Sequence, residues 1–159
     1  MTIALYILTI STIVGLDQIT KYFIVEKVPL HHSIEVIKNF FNITYAQNTG
    51  AAFSMLKGKT NLFFVIVPIA IMIMVYLLIK SDKKDYLTRI GCLFVIGGAI
   101  GNLIDRIANK YVIDFLDFKI FGYDFPVFNV ADCFVTIGVI LIILSIILES
   151  RNAKLRDNN

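Results

Sequence analysis

Four long stretches almost empty of charge set the terms for this chain: Thr2 to Leu16, Leu62 to Ile79, Ile90 to Ile104 and Val130 to Leu148. A helix needs roughly 17–25 residues to cross a hydrocarbon core of about 30 Å. The second and fourth stretches reach that length alone. The first reaches it by running past Asp17 and Lys21 to Val25, and the third by starting near Leu87 and ending at Arg106. Of 159 residues, 57% are hydrophobic and 17% charged, against about 45–50% and about 25% in soluble domains. In so short a chain that surplus stays away from water only if lipid is the solvent. The expected fold is an all-α integral membrane protein with one domain, residues 1–150. Its spans are expected at about 2–25, 61–80, 87–106 and 129–149, followed by a polar cytoplasmic tail at 151–159. A net charge of +3 calls for no nucleic-acid partner.

The first stretch has no basic leader and no Ala-x-Ala site, and it ends in charged residues, so it reads as a permanent anchor. Four spans bring both termini and the Lys80–Arg89 loop to one side. That side carries Lys80, Lys83, Lys84, Arg89, Arg151, Lys154 and Arg156. The other side carries as many basic residues, Lys27, Lys38, Lys57, Lys59, Arg106, Lys110 and Lys119, spread over longer loops. Basic density near span ends favours cytoplasmic termini. The opposite loops, 26–60 and 107–128, hold runs rich in β-branched and aromatic residues, Ser33 to Tyr45 and Tyr111 to Phe128. These predict a small extracytoplasmic sheet. Cys92 and Cys133 lie inside apolar runs and read as small buried side chains.

Ionisable groups inside a span cost at least about 2.5–3.5 kcal/mol on insertion scales, so each needs a partner or a function. Asp17 and Lys21 stand at i,i+4, either as a helix-end ion pair with Lys21 reaching the interface or as support for a nearby site. The third span ends Gly97-Gly98-Ala99-Ile100-Gly101-Asn102-Leu103-Ile104-Asp105-Arg106. Gly97 and Gly101 allow close helix approach. Gly98, Asn102 and Arg106 form a second stripe carrying an amide and a guanidinium, and Asp105 beside Arg106 reads as a local pair at the helix end.

Asp114 follows the third span and Asp132 opens the fourth. Asn129 and Asp132 alone would be a capping box. An antiparallel hairpin, however, brings both acids to one membrane face. Two close carboxylates in low dielectric share a proton, so one can take a proton from water while the other donates to a carbonyl. His31 and His32 lack a third metal ligand at suitable spacing, and no serine or cysteine shows a nucleophile motif. Two other readings stay open on the residues alone: a small proton-coupled transporter, and a membrane adaptor working through its outer loops.

Five blocks, taken together, resemble a known family. They are Asp17-Gln18-Ile19-Thr20-Lys21, Asn48-Thr49-Gly50-Ala51-Ala52-Phe53, Gly97 to Arg106, Val112-Ile113-Asp114-Phe115 and Phe128-Asn129-Val130-Ala131-Asp132. In order and across nearly the whole chain they resemble the motifs of the bacterial lipoprotein signal peptidases (signal peptidase II), an aspartic peptidase family. The resemblance implies a multi-pass protein of the bacterial cytoplasmic membrane with a small extracytoplasmic β-cradle and an active site near the outer face. It implies cleavage of diacylglyceryl-modified prolipoproteins just before the lipidated cysteine, and inhibition by globomycin-type peptides. Asp114 and Asp132 match the catalytic pair. Asn48, Asn102, Arg106 and Asn129 match residues that hold the substrate backbone or orient the pair. Asp17, Lys21, Gly50, Gly98, Gly101 and Asp105 match supporting positions. The resemblance implies neither a metal nor an organic cofactor.

Overall fold

Lipid offers a backbone no hydrogen-bond partners, so an apolar stretch within it satisfies its own N–H and C=O groups as a helix. The computed structural model describes residues 2–50 and 60–157. Its elements run α1 (Ile3–Lys27), β1 (Ser33–Ile37), β2 (Phe41–Asn48), α2 (Thr60–Lys80), α3 (Tyr86–Asn109), β3 (Val112–Ile120), β4 (Tyr123–Asp124) and α4 (Val130–Asp157). All four helices are long and apolar enough to cross a membrane. Thr2 caps α1 by accepting from the Leu5 amide, and Asp85 caps α3 by accepting from Thr88. Helix α4 continues through the segment read as a polar tail, to Asp157. Glu, Arg, Ala, Lys and Leu after Leu148 are all good helix formers, so leaving the apolar run does not end the helix.

The chain is not all-α. Four strands form one antiparallel sheet in the order β1-β2-β3-β4. Between the apolar helices, the β-branched and aromatic residues of the two loops satisfy their backbone by pairing across strands. Strand β2 pairs with β3 with Ala46 opposite Asp114 and Asn48 opposite Val112, and a bulge lies between Ile43 and Ala46. Asn48 and Asp114 are therefore diagonal neighbours on one face of the sheet. On the other edge of β3, Phe128 bridges Leu116, its carbonyl accepting from the Phe115 and Leu116 amides. That bridge delivers the start of α4 to the side of Asp114.

Helix α3 is the centre of the bundle and packs on α1, α2 and α4. On α1 the buried residues are Ile13, Asp17, Lys21 and Ile24, a single stripe at helical spacing. Two glycines of α3 set how closely its neighbours approach. A Cβ at Gly98 would overlap the Ala131 carbonyl oxygen of α4, and one at Gly101 would stand 2.6 Å from Asp17 Oδ2 of α1. At Gly98 the helices meet backbone to backbone, and at Gly101 the missing side chain makes room for the Asp17 carboxylate, as small residues permit in lipid.

Candidate active site

The turn from α3 into β3 takes two residues, Lys110 and Tyr111, with Lys110 in the left-handed conformation. Asp105 reaches across that turn and accepts from the Ile113 amide at 3.0 Å. This fixes the start of β3 against the end of α3, one residue before Asp114. Asp114 is 2% exposed. Its Oδ2 accepts from Asn48 Nδ2 at 2.8 Å and its Oδ1 from Asn129 Nδ2 at 2.6 Å.

Asn129 and Asp132 make the capping box that the sequence allows. The Asp132 amide donates to Asn129 Oδ1 at 3.0 Å, and the Asn129 amide donates to Asp132 Oδ2 at 3.2 Å. The same two side chains also belong to the polar cluster. Asp132 Oδ1 accepts from Asn102 Nδ2 at 2.7 Å, and Asn129 Nδ2 lies 3.1 Å from Asn102 Oδ1. Asn129, fully buried, thus touches both aspartates at once. Capping and site-building are one arrangement.

Burial first, and then the charge of Asp132, push the Asp114 carboxyl up to about 7, against the hydrogen bonds of Asn48 and Asn129 and the more distant charge of Lys21. Both aspartates face a cavity of about 970 Å³. Its wall also includes Asn48, Gly50, Asn102, Arg106 and Phe125, and it continues along α4 past Cys133 and Thr136 to Ile137. It therefore joins a polar end to an apolar helix face. Cys133 is half-buried there, not sealed in the core as its apolar context suggested, whereas Cys92 is buried.

Asn102 Oδ1 also accepts from Lys21 Nζ at 2.9 Å. Lys21 sits between Asp17 at 2.8 Å and Asp105 at 2.9 Å, and all three are at most 2% exposed. Lys21 does not reach the interface; its ammonium is enclosed. Asp17 Oδ1 accepts from the Ala131 amide at 2.9 Å, tying α1 to the first turn of α4. Arg106 donates to the Asn102 carbonyl and to the Gly50 carbonyl, and its guanidinium lies 4.3 Å from the Phe63 ring centre of α2. Asp17, Lys21, Asn48, Asn102, Asp105, Arg106, Asp114, Asn129 and Asp132 thus meet in one place, whereas His31 and His32 are exposed before β1. Ala51, Ala52 and Phe53 of the second block lie outside the described residues.

Two members of the cluster went unread. Gln18 Nε2 contacts Asp17, the Gly101 carbonyl and Asp105, the last at 3.0 Å. Its place in the Asp17 block was the available signal. Phe63 gave none, because one aromatic in an apolar run looks like any other.

Residues 9–148 match the family model described as signal peptidase (SPase) II. The lipoprotein signal peptidases of Staphylococcus aureus strains JH9 and Newman are each 43% identical over 145 residues, covering 91% of this chain and 89% of theirs. Two solved structures, each described as a bacterial membrane enzyme obtained by the in meso method, are 43% identical to it. Their TM-scores are 0.88 and 0.81, with 94% and 91% of this chain and 92% and 93% of theirs covered. With a family match over most of the chain and four helices able to cross a membrane, this multi-pass bacterial membrane protein belongs to the signal peptidase II family of lipoprotein signal peptidases.

Proposed function

We propose that this peptidase removes signal peptides from diacylglyceryl-modified prolipoproteins, cutting just before the lipidated cysteine, with Asp114 and Asp132 as its catalytic pair. Family membership supports the removal of signal peptides. One observation carries the assignment of the pair: two acids from different elements line one large cavity and contact the same buried asparagine.

In this reading one carboxylate takes a proton from a water molecule, and the water oxygen attacks the scissile carbonyl carbon. The other, protonated, donates to the carbonyl oxygen. The tetrahedral intermediate then collapses as its C–N bond breaks and the cysteine nitrogen takes up a proton. Asn48, Asn102 and Asn129 hold the carboxylates in place, and Arg106 and Gly50 form the cavity edge along which a substrate backbone lies. Asp17, Lys21, Asp105, Gly98 and Gly101 hold the helices that carry these groups. No metal or organic cofactor enters the reaction.

Location fits the substrate. The sheet and cavity lie at the end of the bundle away from the start of α1 and the end of α4. Cytoplasmic termini then put the site at the outer face, where a substrate with two acyl chains keeps them in lipid while water reaches the peptide bond. Globomycin-type peptides block the same cavity. A proton-relay reading gains no support, because buried Cys92, Leu93, Val95 and Ile96 lie along α3 below the polar cluster.

The test is cleavage of a diacylglyceryl-modified prolipoprotein by purified protein in detergent, read by mass spectrometry. Wild type is expected to release a product beginning at the lipidated cysteine. Asp114→Asn and Asp132→Asn should each lose about 10³-fold or more while remaining folded. Full cleavage by either variant would overturn the pair.

A further inference from the structure

Lys21 lies one residue away from the acid pair, separated from it by Asn102, and an amide is directional. With Lys21 Nζ 2.9 Å and Asn129 Nδ2 3.1 Å from its oxygen, Asn102 has one orientation available, with its NH2 group toward Asp132 at 2.7 Å. The ammonium pulls electron density through that amide and strengthens its N–H as a donor to Asp132. We propose that Lys21 is a positioning residue which, through Asn102, keeps Asp132 the ionised member of the pair and leaves the shared proton on Asp114. The inference rests on the proposed pair and deepens it by giving each acid a separate role. Asp132 takes the proton from water, and Asp114 donates to the carbonyl.

The surroundings of the two acids differ in the required direction. Asp132 receives the Asn102 amide and the backbone N–H of Asn129, and it sits in the first turn of α4, where the helix favours negative charge. Asp114 is on a strand, outside any helical turn, and is almost fully buried. Among the described residues, the charged and titratable groups around the pair include Asp17 and Lys21 from α1, Asp105 and Arg106 from α3, Asp124 at the cavity edge and Cys133 on α4. Of these two described cations, Arg106 gives its hydrogen bonds to the carbonyls of Asn102 and Gly50. Lys21 is the one that acts on the side-chain amide facing Asp132.

Removing Lys21 alone leaves Asp17 and Asp105 buried and facing each other, so that variant risks misfolding. A double variant, Lys21→Met with Asp17→Asn, avoids this. The wild-type trio of Asp17, Lys21 and Asp105 carries a net charge of −1, and so does the double variant, through Asp105 alone. Met keeps the apolar stem, and Asn keeps an oxygen for the Ala131 amide. The cation on Asn102 is lost together with the Asp17 charge, and Asp17→Asn alone accounts for the second loss.

The experiment is the pH profile of kcat/KM for prolipoprotein cleavage in detergent, for wild type, the double variant, and Asp17→Asn alone. The acidic limb reports ionisation of the base in free enzyme. Without the cation the Asp132 anion is less favoured, so a higher pH is needed to form it. The acidic limb of the double variant should move up by about one pH unit, while that of Asp17→Asn moves down or stays. A purely structural role would lower the rate at every pH and leave the limb in place, and that result would overturn the inference. A limb that shifts equally in both variants would overturn it as well, by tracing the effect to Asp17. Should Asp114→Asn and Asp132→Asn both keep full activity, the pair itself is wrong; should they be dead while the limb stays fixed, only the role of Lys21 fails. If the double variant does not fold, Asn102→Asp, which cannot present an N–H to Asp132, must move the acidic limb upward, and an unmoved limb there overturns the inference.

Discussion

The two ends of the helical bundle each bury a set of polar residues, and only one of them has the makings of an active site. At the end near the start of α1, Arg89 donates to the carbonyls of Leu78 and Ser81, to Ser81 Oγ and to the Tyr6 hydroxyl. Ser145 of α4 donates to Asp85 at 2.8 Å. All four helices are therefore clasped there, by a cation and a lone acid that face neutral groups. At the other end, acids face acids. Burial works against the Asp85 charge, but hydrogen bonds from Thr88 and Ser145 hold its carboxyl below the usual range. Asp114 also accepts hydrogen bonds, yet burial and the neighbouring Asp132 push it up to about 7. Burial of charge is thus not the mark of chemistry. A second carboxylate beside the first, with a cavity at hand, is what gives a proton that can move near neutral pH.

Removing Asn129 is expected to have the largest effect on this contrast. Asn129→Ala cuts the link between the two acids and removes the cap of α4. It should lower kcat/KM by about 100-fold or more, with a loss of about 1 kcal/mol in stability for the cap. If a thermal melt falls but activity per folded molecule holds, the asparagine is a cap and nothing more. Next is the response of wild type to pH. Asp114 donates only while protonated, and its raised value keeps it protonated up to about 7. Above that, kcat/KM should fall about tenfold per pH unit, and a flat profile to pH 9 would remove Asp114 from the donor role. The smallest effect on activity is expected at the clasp. Arg89→Met leaves the Leu78 and Ser81 carbonyls without their donor, at a cost of about 1–3 kcal/mol. Tm should drop while kcat/KM of the folded fraction stays within about twofold. A large activity loss without a drop in Tm would erase the distinction between the two ends.

The spans were legible because hydropathy adds up locally: twenty apolar residues in a row have few alternatives to a membrane helix, whatever the rest of the chain does. The sheet was legible from the same kind of local pattern in two loops, although its order and the bulge in β2 were not. The site was legible residue by residue only where five blocks matched a family together. Singly, each had an ordinary meaning, and for Asn129 and Asp132 the ordinary meaning also holds, since the capping box is formed. Gln18 and Phe63 were missed because their roles depend on which side chains arrive from other helices.

The sequence by itself determined that this chain belongs in lipid, that it crosses four times by length and composition, and that its polar residues belong to the lipoprotein signal peptidases. The tertiary structure alone decided that Lys21 is enclosed instead of reaching the interface, that the Gly98 and Gly101 contacts bring α3 onto α4 and α1, and that Asn129 serves both aspartates. The physical reason is range. Hydropathy and helix periodicity are summed over neighbours in the chain, whereas a hydrogen bond such as that from the Ala131 amide to Asp17 joins residues 114 positions apart. Its existence follows from the packing of three helices and one strand, and no window of the sequence contains it.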